Sequence, residues 1–174
     1  MRILCIGDVV GSIGCEFLRN NLPTLKKVKG VDFVICNGEN SADGNGLTPV
    51  SAKHLFDSGV DAITLGNHSF RRKEVYDCLD SNPFIVRPAN FPENSTPGKG
   101  IINVDTGRRI VSIINILGNS YMDNNLNCPF FTCCLCMKIN NYDFAFSLFN
   151  HFIYTFKSAI QVVIHIGITH NIYN

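Results

Sequence analysis

Ile3-Leu4-Cys5-Ile6-Gly7-Asp8, Phe33-Val34-Ile35-Cys36-Asn37-Gly38-Glu39-Asn40 and Ala62-Ile63-Thr64-Leu65-Gly66-Asn67-His68 are short apolar runs that each end in a glycine and a polar residue able to bind a cation. Each run has the length and Ile/Val/Leu content of a buried strand, and a helix-like stretch separates it from the next. Strands joined by helical crossovers lie parallel, so all three run ends are expected along one edge of one sheet. Open α/β sheets place their ligands at that edge. Asp8, Glu39, Asn40, Asn67 and His68 are thus expected to converge, and a shared edge of carboxylates, amides and an imidazole suits a binuclear metal site.

Composition narrows the function classes. The 174 residues fit one ordinary domain with a real core, and a formal net charge of +1 argues against duplex nucleic acid or an anionic membrane as partner. Lys26, Lys27 and Lys29 close a helical stretch, where cations suit the helix dipole. Cys5 and Cys36 sit inside apolar strand runs and are read as small hydrophobes. Met1-Arg2-Ile3-Leu4 enters the first strand directly, without room for a signal peptide, so a cytoplasmic location with free thiols is expected.

The character of the chain changes near residue 128. From Cys128 to Asn174 the charged residues are Lys138, Asp143 and Lys157, while ten of the eighteen aromatic residues fall there. Cys128, Cys133, Cys134 and Cys136 do not supply the two C-x-x-C pairs of a zinc site. Phe144 to Phe156 has no Lys, Arg, Asp or Glu, but it is short for a membrane span and contains Asn150 and His151. The division expected is an α/β domain over 1–131 and an atypical, aromatic-rich tail over 132–174.

Within the first part, a helix is predicted near Cys15–Lys27, shortened or kinked by Pro23. A second helix is capped by Ser51 and runs to about Ser58, with Gly59 ending it. Ser41 to Gly46 reads as a turn-rich loop, Arg71 to Leu79 as a short helix, and Phe84-Ile85-Val86 as a fourth strand. Ile101–Val104 and Ile110–Ile116 flank Thr106-Gly107 as a hairpin. The glycines before Asp8, Glu39 and Asn67 are expected to let the backbone turn sharply.

Oxygen and nitrogen ligands without thiolates favour iron, manganese or zinc. Two such ions lower the pKa of a shared water and clamp the oxygens of an in-line displacement, and a nearby imidazole can protonate the leaving oxygen. Gly7-Asp8, Gly38-Glu39-Asn40 and Gly66-Asn67-His68 resemble the blocks of calcineurin-like metallophosphoesterases. Glu39 stands where the bridging residue is usually Asp, and Gly-Asp-Val-Val-Gly lacks the usual Asp-x-His. With Arg87-Pro88-Ala89-Asn90-Phe91-Pro92 and Thr96-Pro97-Gly98-Lys99-Gly100, the blocks are similar to the YmdB-type subfamily over about residues 1–131.

That resemblance implies the first part of a metallophosphoesterase α/β sandwich with mostly parallel strands. It also implies two divalent ions, iron or manganese, and hydrolysis of 2′,3′-cyclic nucleotides by a metal-activated hydroxide. By the same resemblance Asp8 binds one ion, Glu39 bridges both, Asn40 and Asn67 bind the second, and His68 donates the proton. The family completes its centre with later histidines, including a His-x-His motif that this chain lacks; His151, His165 and His170 are weak substitutes. The other reading is therefore a catalytically inactive, truncated or frameshifted remnant that retains at most weak metal binding. A Rossmann-type nucleotide binder is disfavoured, because Gly7, Gly11 and Gly14 are not spaced G-x-G-x-x-G and Asp8 would face a phosphate.

Overall fold

The apolar runs do become strands, joined by helices. In a computed structural model the described residues are 1–92, 96–107, 109–118, 127–128, 131–132 and 135, with the backbone of 161–165. Their contacts form two units: Met1–Arg87 with Pro97–Lys99, and Pro88–Thr96 with Gly100–Asn174.

The first unit is built from β1 (Ile3–Asp8), α1 (Gly11–Lys29), β2 (Phe33–Asn37), α2 (Pro49–Asp57), β3 (Ala62–Thr64), a 3₁₀ turn at Lys73–Val75, α3 (Tyr76–Ser81) and β4 (Ile85–Val86). Among the described residues the strands form one parallel sheet in the order β1-β2-β3-β4. Asp8 pairs with Asn37, Asn37 with Thr64, and Thr64 with Val86, so the strands stop level with one another. Every residue of β2, β3 and β4 is buried, as expected for strands covered on both faces. Cys36 lies fully buried in β2, and this desolvation pushes its thiol up to about 12.

Among the described residues β1 ends the sheet, and its exposure corrects the reading of Cys5. Leu4 and Ile6 pack on the core from one side of the pleat, while Cys5 is exposed on the other. Apolar sequence alone does not reveal which strand ends up at the sheet edge.

α1 is longer than predicted. It starts at Gly11, runs 19 residues straight through Pro23, and ends with Lys26, Lys27 and Lys29 in its last turn. An interior proline costs about 3 kcal/mol. Cys15, Leu18 and Leu22 form a buried stripe just before it, and that burial holds the helix together across the missing N–H. α2 carries a second correction: its N-cap is Thr48, not Ser51. Thr48 Oγ1 accepts from Ser51 N at 3.2 Å, Ser51 Oγ accepts from Thr48 N at 3.0 Å, and Pro49 occupies the first helical position. The predicted helix over Arg71–Leu79 is instead the 3₁₀ turn followed by α3.

The second unit holds the hairpin the sequence predicts. β5 (Ile101–Asp105) and β6 (Ile110–Ile116) pair antiparallel around Thr106-Gly107, and β7 (Gln161–His165) pairs antiparallel with β6. Asn90, from the block used for the resemblance, is fully buried here and acts as a staple. Its amide donates to Leu117 O at 2.9 Å and its Oδ1 accepts from Leu117 N at 3.0 Å. Among the described residues no helix is long and apolar enough to cross a membrane. Phe144 to Phe156 and Cys133, Cys134 and Cys136 lie outside the described residues.

Replacing Thr48 by alanine removes one half of a reciprocal cap. We expect Thr48→Ala to lower the unfolding free energy by about 1 kcal/mol, seen as a lower urea midpoint with an unchanged slope.

Candidate functional site

Because β1, β2 and β3 stop level, the residues just past their ends are neighbours. Asn37, the last residue of β2, opens the turn that carries Glu39: its buried Oδ1 accepts from Glu39 N at 3.1 Å. The turn after β3 is shaped by Ser69, which is buried and donates from Oγ to Gly66 O at 2.6 Å. Those two local devices aim the two polar blocks at each other.

Glu39 is fully buried. One carboxylate oxygen, Oε2, accepts from the backbone N–H of His68 at 3.0 Å. The other, Oε1, is buried with no hydrogen-bond partner among the described residues. Burial pushes the Glu39 carboxyl above its ordinary value of 4.5; the His68 N–H and, more weakly, the Gly66 N–H oppose the shift, and the nearby Asp8 charge adds to it.

A contact chain runs beside this carboxylate. The Asn40 amide donates from Nδ2 to both Asp8 oxygens, at 3.0 and 2.9 Å, and its Oδ1 lies 2.6 Å from His68 Nδ1. A carboxylate only accepts, which fixes the orientation of the amide and makes His68 Nδ1 the donor to Oδ1. His68 Nε2 is left for other chemistry. The structure thus links Asp8, Asn40 and His68 directly, and ties Glu39 to His68 through the backbone. The Asn67 side chain, half-buried in the same turn, is outside that contact chain.

None of the three glycines has a positive φ. Two of them supply space. A Cβ at Gly38 would press on Ile63 and Leu55 at 2.9 Å, and one at Gly66 would collide with the Glu39 carboxylate, with Oε1 at 2.5 Å and Cδ at 2.6 Å. Gly66 is therefore the floor beneath Glu39. Sequence reasoning missed this role, as well as those of Asn37 and Ser69. The Asn37-x-Glu39 and Gly66-x-x-Ser69 spacings were the available signals.

An unpartnered buried carboxylate oxygen is costly unless a cation or donor meets it. With Asp8 and the Asn40 amide oxygen nearby, the donor set fits a hard or borderline divalent ion. It does not by itself fit two. Among the described residues no three His, Cys, Asp or Glu side chains gather as a metal-holding group. Two ions with four to six ligands each need roughly eight or more donors, beyond what the side chains of Asp8, Glu39, Asn40 and Asn67 bring. His151 and His170 lie outside the described residues, and His165 is described only as the end of β7, opposite Ser112.

The parallel sheet and its polar strand ends define an α/β fold of the metallophosphoesterase type, and two solved structures share it. A Thermus thermophilus protein described as hypothetical superposes with TM-score 0.72 at 36% identity, over 79% of this chain and 53% of that one. A novel phosphatase from Mycoplasma pneumoniae gives TM-score 0.72 at 30% identity, over 81% and 51%. The profile of the YmdB-like protein family matches residues 4–161, and the chain belongs to that family. It is 48% identical over 122 residues to the 2′,3′-cyclic-nucleotide 2′-phosphodiesterase of Bacillus subtilis (strain 168), covering 70% of this chain and 46% of that protein. The chain spans about half the length of these relatives.

Glu39 gives the cation-free protein a signature in pH. Its folded-state carboxyl binds a proton more tightly than the unfolded one, so its contribution to stability is full below about 4.5 and lost as pH rises through the raised value. In metal-free buffer the wild-type urea midpoint should fall with rising pH relative to Glu39→Gln; parallel curves would contradict the assignment.

Proposed function

We propose that this chain is a metal-dependent phosphodiesterase of cyclic nucleotides, with 2′,3′-cyclic nucleotides as the substrate class, working in the cytoplasm. The observation that carries the reading is the buried Glu39 carboxylate with one bare oxygen, set beside the Asp8–Asn40–His68 contacts. The activity for which the Bacillus subtilis relative is named supports the substrate class.

In this reading Asp8, Glu39, Asn40 and Asn67 hold divalent metal, iron or manganese. The Asn40 Oδ1 that meets His68 keeps a second lone pair for a cation. When bound, the metal supplies a water of lowered pKa and positive charge for the phosphoryl oxygens. That water, one proton given up to solvent, would bond through its oxygen to phosphorus as the bond from phosphorus to the ribose 2′ oxygen breaks; the His68 Nε2 proton would pass to that oxygen, and solvent would return a proton to His68. Nδ1, held on Asn40, keeps the ring facing the same way through the cycle.

A second reading is a remnant that binds metal weakly without turnover, because this chain lacks the His-x-His motif of the family pattern. Metal analysis separates the two, since less than one ion per chain together with no hydrolysis supports the remnant.

The direct test is hydrolysis of 2′,3′-cyclic AMP with added manganese. Loss of a positioned acid typically costs about 10²–10⁴-fold, so His68→Ala should fall by about that factor with manganese binding retained. Glu39→Gln should lose both rate and manganese. Equal rates for all three proteins would dismiss the proposal.

A further inference from the structure

The proposed chemistry leaves one side chain unexplained. Arg72 follows His68 by four residues, in a turn closed by Arg71 N donating to His68 O at 3.1 Å. Its side chain crosses to the loop beyond Asn40. Arg72 Nε donates to Asn45 O at 2.9 Å and Nη2 to Ala42 O at 3.4 Å. Asp43 lies 4.0 Å from Nη2 but is 89% exposed, so that ion pair adds little. The stem is engaged too. Gly46 has φ +93°, and a Cβ there would strike Arg72 Cγ at 2.8 Å, so the loop backbone lies directly on the arginine.

The loop it grips is one hydrogen-bonded unit rooted on Asn40. Gly44 N donates to Asn40 O at 3.0 Å, Ala42 N to Gly46 O at 3.0 Å, and Gly11 N to Asn40 O at 2.9 Å. The two loops therefore meet in two kinds of place: where Glu39 Oε2 and Asn40 Oδ1 meet the N–H and Nδ1 of His68, and at Arg72. The first contact lies between groups assigned to the chemistry. The second uses a guanidinium fork on two backbone carbonyls, a geometry that suits a permanent brace.

We infer that Arg72 is a positioning residue, bracing the loop that carries Glu39 and Asn40 against the loop that carries Asn67 and His68 and so setting the spacing of the donors. The metal consequence rests on the function proposed above; the bracing itself does not. Lysine can reach one carbonyl but cannot reproduce the fork, so Arg72→Lys should restore only part of what Arg72→Ala loses.

The experiment uses the full chain, labelled with ¹⁵N, well below its melting temperature. In metal-free Arg72→Ala the Asn40 side-chain amide and His68 ring resonances should move, and Arg72→Lys should bring them part of the way back. Manganese affinity of Arg72→Ala, measured by calorimetry, should drop by about tenfold or more, as for other residues that support ligands from behind. Unmoved Asn40 and His68 resonances in folded Arg72→Ala would overturn the inference, even if that variant were less stable. Wild type that binds no manganese would sink the metal reading, and the resonances would still decide for or against the brace.

Discussion

Burying a carboxylate oxygen without a partner is among the least favourable things a fold can do, and the architecture around Glu39 is arranged to permit it. Gly66 leaves the hollow, the His68 N–H satisfies one oxygen, and the turn begun by Asn37 delivers the side chain from β2. Asp8 on β1 adds a second negative charge nearby and pushes the Glu39 carboxyl further up. Such an arrangement is poor for stability and good for holding a cation. The sheet serves it: level strand ends put Asp8, the Glu39 turn and the His68 turn within reach of one another.

Asn40 is the hinge between electrostatics and chemistry. An amide beside a carboxylate pair adds no charge, yet its two ends distinguish donor from acceptor, so one residue restrains Asp8 and orients His68 together. Arg72 acts on the same block from the other side, through backbone rather than side chain. Two restraints of different kind on one loop are what a site needs if its geometry is to survive the arrival and departure of charged ligands.

Much of this was legible in the residues alone. Ile/Val/Leu runs closing on Gly-Asp, Gly-Glu-Asn and Gly-Asn-His sufficed to foresee a parallel sheet with those residues at one edge, because periodicity and crossover rules are local and strong. The hairpin at Thr106-Gly107 was equally open to view. Where the reading failed, distance along the chain was the cause. Pro23 looks like a helix breaker until Leu18 and Leu22 are seen to be buried. Cys5 looks like core until β1 is seen to end the sheet of described strands. Gly66 looks like a turn residue until Glu39, 27 positions earlier, is found lying on it. Ser51 and Thr48 are both able caps, and Pro49 was the tie-breaker.

The parallel order of the sheet has a kinetic side. Each strand can join its neighbour only after an entire helical crossover has been laid down, and such distant pairings close slowly. The blocks after β2 and β3 bring Glu39, Asn40 and His68 into contact, and Asp8 joins them only when β1 docks as well. Convergence of Asp8, Glu39 and His68 therefore requires β1, β2 and β3 all to have docked. In the function proposed above, a divalent ion would meet scattered side chains before then and gathered donors afterwards.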